Sequence, residues 1–297
     1  MIDDVGFDLE DMDTIYDAYM HQTSDWNKLV HTHMRLPEWY DHTLEPLSVE
    51  YANQQHKLWK AIVNLDREYD PELDEQTHGC VHTDVVRFPG GFIDRGNHAI
   101  AIQGEHNIAT GMFLKYSNLR PGQWALEYGA GFGGTALQMA RLGANVDTVD
   151  VSEYFCDAIR QQAEFYGVPL TPFKGRFGDN PRGDKKYDLI FFYESFHHSV
   201  DFVDVVAALK RNLASDGRIM LAGEPIVTQP NAAIPYDWGI RLSAENLAIM
   251  RYRKWFELGF TEGFITRIFN DAGFHVSRMH CDVSTYGEGY IITHQHT

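Results

Sequence analysis

Apolar positions recur at two different spacings along this chain of 297 residues, and the change between them falls near residue 105. Upstream, where the pattern is regular, it is helical. Ile2, Val5, Leu9, Met12, Ile15, Tyr16 and Tyr19 recur about every three or four residues, as do Leu58, Ile62 and Leu65. The first set predicts an acidic amphipathic helix or a solvated arm, and for residues 1–20 the arm is the expectation. The second predicts a helix stopped by Asp70-Pro71, because proline disfavours helix at the residue before it. Residues 71–104 are rich in His, Gly and Asp, include Phe88-Pro89-Gly90-Gly91, and read as loop with short strands.

Downstream, strand and helix patterns alternate. Ile108, Met112, Phe113 and Tyr116 share one helical face, and Arg120-Pro121-Gly122 turns the chain. Then come a strand at Trp124–Tyr128, a helix at Thr135–Leu142, a strand at Val146–Asp150 and a helix capped by Ser152 and stopped by Gly167. Leu170–Lys174 is a weak strand interrupted by Pro172, Tyr187–Tyr193 a strong one, Phe202–Leu213 a helix and Arg218–Ala222 a strand. Phe264–Ala272 reads as a helix, and Phe274–His280 and Tyr290–His294 as an antiparallel pair closing one edge. Such alternation implies βαβ crossovers, hence an α/β fold with a mostly parallel, Rossmann-like sheet covered on both faces. The expected division is a mainly helical N-terminal cap or substrate region at 1–104 and a ligand-binding α/β domain at 105–297. Residues 225–262 are too long for an ordinary connection and are expected to form an acceptor-side insert.

Charge sharpens this division. The formal net charge is −17, and residues 1–110 hold 21 acidic against 7 basic side chains. That balance argues against a nucleic-acid binder or a protein adhering to anionic membrane. The acidic N-terminus has no signal-peptide pattern, no apolar run is long enough to span a bilayer, and Cys80, Cys156 and Cys281 are few and scattered. A cytoplasmic protein with free thiols is expected, and a homodimer through the acidic segment is one role open to it.

The chemistry concentrates in Glu127-Tyr128-Gly129-Ala130-Gly131-Phe132-Gly133-Gly134, which lies between a predicted strand and a predicted helix. Gly129, Gly131 and Gly134 satisfy G-x-G-x-x-G, with Asp150 arriving 21 residues after Gly129 where a ribose-binding acid belongs, so an NAD-dependent oxidoreductase is one reading. Glu127, Gly129, Gly131 and Gly133 equally satisfy E-x-G-x-G-x-G. A carboxylate before the first glycine is a poor neighbour for a pyrophosphate and a good one for an ammonium group, which favours a methionine-derived cofactor.

The order of the Glu127 loop, Asp150, Tyr193-Glu194-Ser195-Phe196-His197-His198 and Ala222-Gly223-Glu224-Pro225 resembles class I S-adenosylmethionine-dependent methyltransferases. The FFYESFHH and AGEPI segments, with Asp237–Leu242 running on to Trp255–Phe260, resemble those of bacterial polysaccharide and glycan biosynthesis clusters. The resemblance implies a seven-stranded sheet and S-adenosylmethionine held by Glu127, Tyr128, Gly129, Ala130, Gly131, Gly133, Asp150, Val151, Phe177 and Tyr193, with S-adenosylhomocysteine as product. It further implies O-methylation of a sugar hydroxyl on a glycan or nucleotide-sugar precursor, with another small molecule as the alternative acceptor. A non-catalytic cofactor-binding module is the rival outside enzymology. One departure concerns Gly175-Arg176-Phe177, where similar proteins have Gly-Asp-Phe; Asp179 follows two residues later.

A hydroxyl acceptor benefits from a base, for which imidazole has a suitable pKa. His198, three residues before Asp201, resembles the histidine of the H-x-x-D pattern in similar methyltransferases, which makes it the first candidate and His197 the second. Glu194 is expected to orient the histidine or meet the cofactor, and Glu224 to reach the acceptor. Arg241, Arg251, Arg253 and Lys254 are candidates to meet an anionic acceptor, or form a solvated helix face. The pairs His31-x-His33, His78-x-Cys80-x-His82 and His294-x-His296 lack the second half of a structural zinc pattern, so no metal is expected.

Overall fold

The computed structural model describes residues 6–79, 81, 83–87 and 99–295. The chain folds as two compact units, one of Met1–Glu75 with Pro225–Ile265, the other of Gln76–Glu224 with Thr266–Thr297.

The larger unit is built on seven strands: β1 (Trp124–Tyr128), β2 (Asn145–Asp150), β3 (Leu170–Lys174), β4 (Tyr187–Tyr193), β5 (Leu213–Ala222), β6 (Phe274–Met279) and β7 (Gly289–His294). Their order is β6-β7-β5-β4-β1-β2-β3. β1 to β5 pair in parallel, whereas β7 is antiparallel to both β5 and β6. The antiparallel strand therefore sits one place in from the edge, since the 280–288 connection returns it as a hairpin onto β6. Leu189, Ile190, Phe191 and Phe192 in the central strand β4 are fully buried, as a strand covered on both faces requires. Pro172 is tolerated because β3 is an edge strand that pairs only with β2.

Helices Ala99–Tyr116, Gly134–Arg141, Glu153–Tyr166 and Phe202–Asn212 belong to this unit, and Glu262–Asp271 crosses the division at 265/266. One apolar cluster joins Phe113, Ala125, Leu137, Ile159, Leu189, Phe191 and Met220, so helix Ala99–Tyr116 is part of the sheet's own core. The expected boundary at 104/105 accordingly moves to 75/76. Hydrogen bonds explain the shift: Gln76 Nε2 donates to Val151 O (2.8 Å) and Ser152 Oγ to Thr77 O (2.7 Å), tying the start of this segment to the end of β2.

In the smaller unit the expected solvated arm is instead a helix, Met12–His21, with Met12, Ile15 and Ala18 buried. Its apolar spacing outweighs its acidity, because helix Ala244–Arg253 of the same unit packs against it. Helix Val49–Val63 starts where Ser48 Oγ accepts the Tyr51 N–H (3.1 Å) and stops at Asn64 in the left-handed region, six residues before Asp70. The segment expected as an insert supplies Ile226–Val227, Trp238–Ile240 and Leu258–Thr261, a three-stranded sheet with the last of these in the middle. Among the described residues no helix is long and apolar enough to cross a membrane.

Candidate active site

β1 delivers Glu127 and then turns through Gly129 (φ +66°), Gly131 (φ +52°) and Gly133 (φ +68°) into helix Gly134–Arg141. The three glycines serve different ends. A Cβ on Gly129 would lie 2.6 Å from Ser195 Cβ and one on Gly133 2.8 Å from Ile159 Cγ1, so these two permit close packing. A Cβ on Gly131 would meet nothing within 4 Å, so Gly131 borders open space that a ligand can approach along bare backbone.

Glu127 is 3% exposed. Its Oε2 has no hydrogen-bond partner, while the Ala136 N–H bonds to the carboxyl. Burial, reinforced by the charge of Asp150, pushes the carboxyl well above the usual carboxylate range against that single backbone donor. A buried acid with an orphaned oxygen beside a glycine loop has room for a further donor, such as a cation. Asp150, at the end of β2, accepts the Ser152 N–H at 2.8 Å and the Gly131 N–H at 3.3 Å, which fastens it to the loop. These residues fit S-adenosylmethionine: Glu127 for its ammonium, Asp150 for its ribose hydroxyls and the glycine main chain, with Ala130, for close approach. They fit a dinucleotide poorly, since the pyrophosphate would meet Glu127.

Phe177 is half-buried after β3, edge-on to Tyr128 and Phe192, and its ring lies against Gly129. The carboxylate of Asp179 folds back to accept the Arg176 N–H (2.8 Å), so an acid does reach the end of β3 despite Arg176. Tyr128 contributes main chain to the loop. Its side chain is buried, with the hydroxyl donating to Asp179 O (2.6 Å). Val151 is held by Gln76, as described above.

The ends of β4 and β5 carry the candidate acid–base groups. The Glu224 side chain is 1% exposed and saturated with donors. Oε1 accepts the N–H groups of Ser195 and Phe196, both at 2.9 Å, and Oε2 accepts the His197 N–H at 3.1 Å and its Nδ1 at 2.8 Å. Burial alone would raise this carboxyl, but the His197 ring and the backbone donors together hold it below the usual range. The structure therefore gives the carboxylate partner to His197 and makes that partner Glu224. The His198 ring lies beside it, tilted, at a centroid separation of 4.3 Å, and the His198 backbone N–H donates to Ser195 O (3.0 Å). Asp201 takes the Ser199 hydroxyl (3.3 Å).

Glu194 turns the other way. Its φ is +50°, unusual for a side chain with a Cβ, and Gly223 opposite leaves it room, since a Cβ there would lie 2.5 Å from Glu194 Cγ. Its carboxylate lies 3.6 Å from His106 Nδ1, and that ring nitrogen is hydrogen-bonded to the Tyr193 hydroxyl. Tyr286 lies against the same imidazole, with centroids 5.0 Å apart. Sequence reasoning missed His106 and Tyr286. The signal for His106 was present, because it falls on the helical stripe of Thr110 and Phe113.

The basic candidates of the smaller unit are engaged within it. Arg241 pairs with Glu257, Arg251 donates to Ile62 O (3.1 Å) and pairs with Asp13, Lys254 donates to Val63 O (3.1 Å), and Arg253 lies over Tyr252 and Trp255. Of the histidine pairs, Cys80, His82 and His296 fall outside the described residues.

Known proteins match part of this chain. Residues 126–221 match the family model described as a methyltransferase domain. The chain is 32% identical over 105 residues to a sarcosine/dimethylglycine N-methyltransferase of Halorhodospira halochloris, covering 34% of this chain and 38% of that one. It is also 32% identical over 106 residues to the enzyme of the same name from Aphanothece halophytica, covering 35% and 38%. The matched region thus spans well under half the length of these curated relatives. The YcgJ protein of Bacillus subtilis shares the fold at a TM-score of 0.51 and 20% identity, over 59% of this chain and 71% of that one. Residues 126–221, which hold the glycine loop, Asp150 and the His197 turn, are thus similar to a methyltransferase domain.

Proposed function

We propose that the whole protein transfers a methyl group to a small-molecule acceptor that gives up a proton in the step. The observation that carries this reading is the orphaned, buried Glu127 beside a glycine loop with open space at Gly131. When bound, S-adenosylmethionine supplies a methyl group activated on a sulfonium. The chain's share is to align the acceptor with that methyl, exclude water and receive the proton. His197 is the residue for the last task. With Nδ1 donating to Glu224, its basic nitrogen is Nε2, and a buried carboxylate that steadies the imidazolium favours proton uptake. His198 is the alternative base. The unit formed by 1–75 and 225–265 is read as the acceptor-binding part, in place of the cap first drawn at 1–104.

Two acceptor classes meet the requirement. The motif resemblance supports a sugar hydroxyl of a glycan or nucleotide-sugar precursor. The names of the two curated relatives support a secondary or tertiary amine, which is an ammonium ion at neutral pH and gives up that proton before its lone pair attacks the methyl group. Incubation with methyl-labelled S-adenosylmethionine and, separately, sarcosine, dimethylglycine and a panel of nucleotide sugars tests the proposal. Label entering one class, and lost in His197→Ala with S-adenosylhomocysteine affinity retained, is the expected result. Equal loss of transfer and affinity would make His197 a pocket residue instead.

A further inference from the structure

His106 is used by none of the steps above, yet its imidazole is engaged by Tyr193, Glu194 and Tyr286. It projects from helix Ala99–Tyr116, which packs on helix Gly134–Arg141, the element that the loop starts; Thr110 and Thr135 hydroxyls meet at 3.3 Å between the two. One imidazole nitrogen binds the Tyr193 hydroxyl and lies 3.6 Å from Glu194, while the ring rests on Tyr286. Tyr193 in turn packs on Phe113, and the carboxyl groups of Glu194, Glu127 and Glu105 lie near enough to act on its hydroxyl. The Glu105 Oε2 is itself buried with no hydrogen-bond partner.

Packing alone does not call for this arrangement. An apolar residue at 106 would fill the space beside Phe113 and Tyr193 without placing an imidazole near a carboxylate in a left-handed backbone. The backbone at Glu194 and the missing side chain at Gly223 together put that carboxylate beside the ring. Half-buried polar groups arranged at such cost in local conformation mark functional positions more often than plain core.

We propose that His106 is a positioning residue of the cofactor site: it clamps the Tyr193 hydroxyl, with Glu194 steadying the imidazole, and so fixes the wall beside Glu127 against which the aminoacyl end of the cofactor is held. The helix Ala99–Tyr116 thereby becomes part of the binding site rather than a scaffold behind it. This inference rests on the cofactor reading above. It assigns no proton transfer to His106, and its effect runs through Tyr193.

The test needs no acceptor. S-adenosylhomocysteine affinity is measured by calorimetry for the full chain and for His106→Ala, Tyr193→Phe, the double variant and His106→Gln, with thermal unfolding run on each. Each of the first two substitutions is expected to weaken binding about tenfold, a size typical of a lost hydrogen bond. The double variant should be no weaker than either alone, because the two residues act through one contact, and His106→Gln should recover most of the loss. Losses that multiply in the double variant, or single variants that bind like the parent chain, would overturn the proposal. If His106→Ala does not fold, Tyr193→Phe and His106→Gln still decide it. Failure of the parent chain to bind S-adenosylhomocysteine is a separate outcome that removes the cofactor reading and this inference with it.

Discussion

Glu127 and Glu224 close β1 and β5 of the same sheet, and both carboxyls are out of water, yet they are held in opposite states. Glu224 accepts three backbone N–H groups and the His197 ring, and those donors hold it ionised despite burial. Glu127 has the Ala136 N–H on its carboxyl and one oxygen with no partner, and burial holds it protonated well above the usual range. A satisfied buried carboxylate organises the turn that crosses it. An unsatisfied one is a cost in the free protein that a cationic ligand removes. On the proposed reading, the difference separates an acid whose partners all lie within the fold from one whose missing partner is the ligand.

The largest effect should come from breaking the satisfied side. Glu224→Ala leaves three backbone donors and an imidazole without their acceptor, and is expected to destabilise the fold by about 3 kcal/mol or more, read by denaturant unfolding. Glu127→Gln sharpens the contrast. It should weaken S-adenosylhomocysteine binding by about tenfold to a hundredfold in calorimetry, the scale of a lost charge-assisted hydrogen bond, while raising the melting temperature of the ligand-free protein at neutral pH.

Acid titration separates the two residues by sign. The Glu224 carboxyl is depressed in the folded state, so its contribution is present above the ordinary glutamate value and is lost as pH falls through and below it. Glu127 is raised, so the stability tied to its protonated form is full below the ordinary value and is lost as pH rises above it. The unfolding midpoint of Glu224→Gln should therefore approach that of the parent chain as pH drops below about 4. For Glu127→Gln the two should coincide in acid and diverge toward neutral pH. Smallest in stability is Gly131→Ala, about 1 kcal/mol for a left-handed residue with no clash. It should still impair S-adenosylhomocysteine binding, whereas Gly129→Ala, which meets Ser195, should cost the fold more.

The sheet was legible in sequence because each strand carried its own local signal, from the apolar run Leu189–Tyr193 of β4 to the glycine that ends helix Glu153–Tyr166. Glu127 and Asp150 were legible for the same reason, standing at fixed spacing around one loop. What failed was long-range. The partnership of His197 with Glu224 joins residues 27 apart through a strand crossover, and the role of His106 depends on residues 87 and 180 positions away. Nor does local pattern say that residues 225–265 fold with 1–75, because that grouping is written in contacts such as Tyr51 Oη to Trp238 O (2.6 Å). The acidity of the first 25 residues misled in a different way. It masked Ile15, which is fully buried and draws its helix into the unit's core.

The most direct test of the central claim is calorimetric titration of S-adenosylhomocysteine at neutral pH in two buffers of different ionisation enthalpy, on the parent chain and on Glu127→Gln. Binding is expected to ionise Glu127 and to release a fraction of a proton up to one whole proton to the buffer, a release that disappears in the variant. Binding with no buffer dependence, or no binding of S-adenosylhomocysteine where NADH binds, would contradict it.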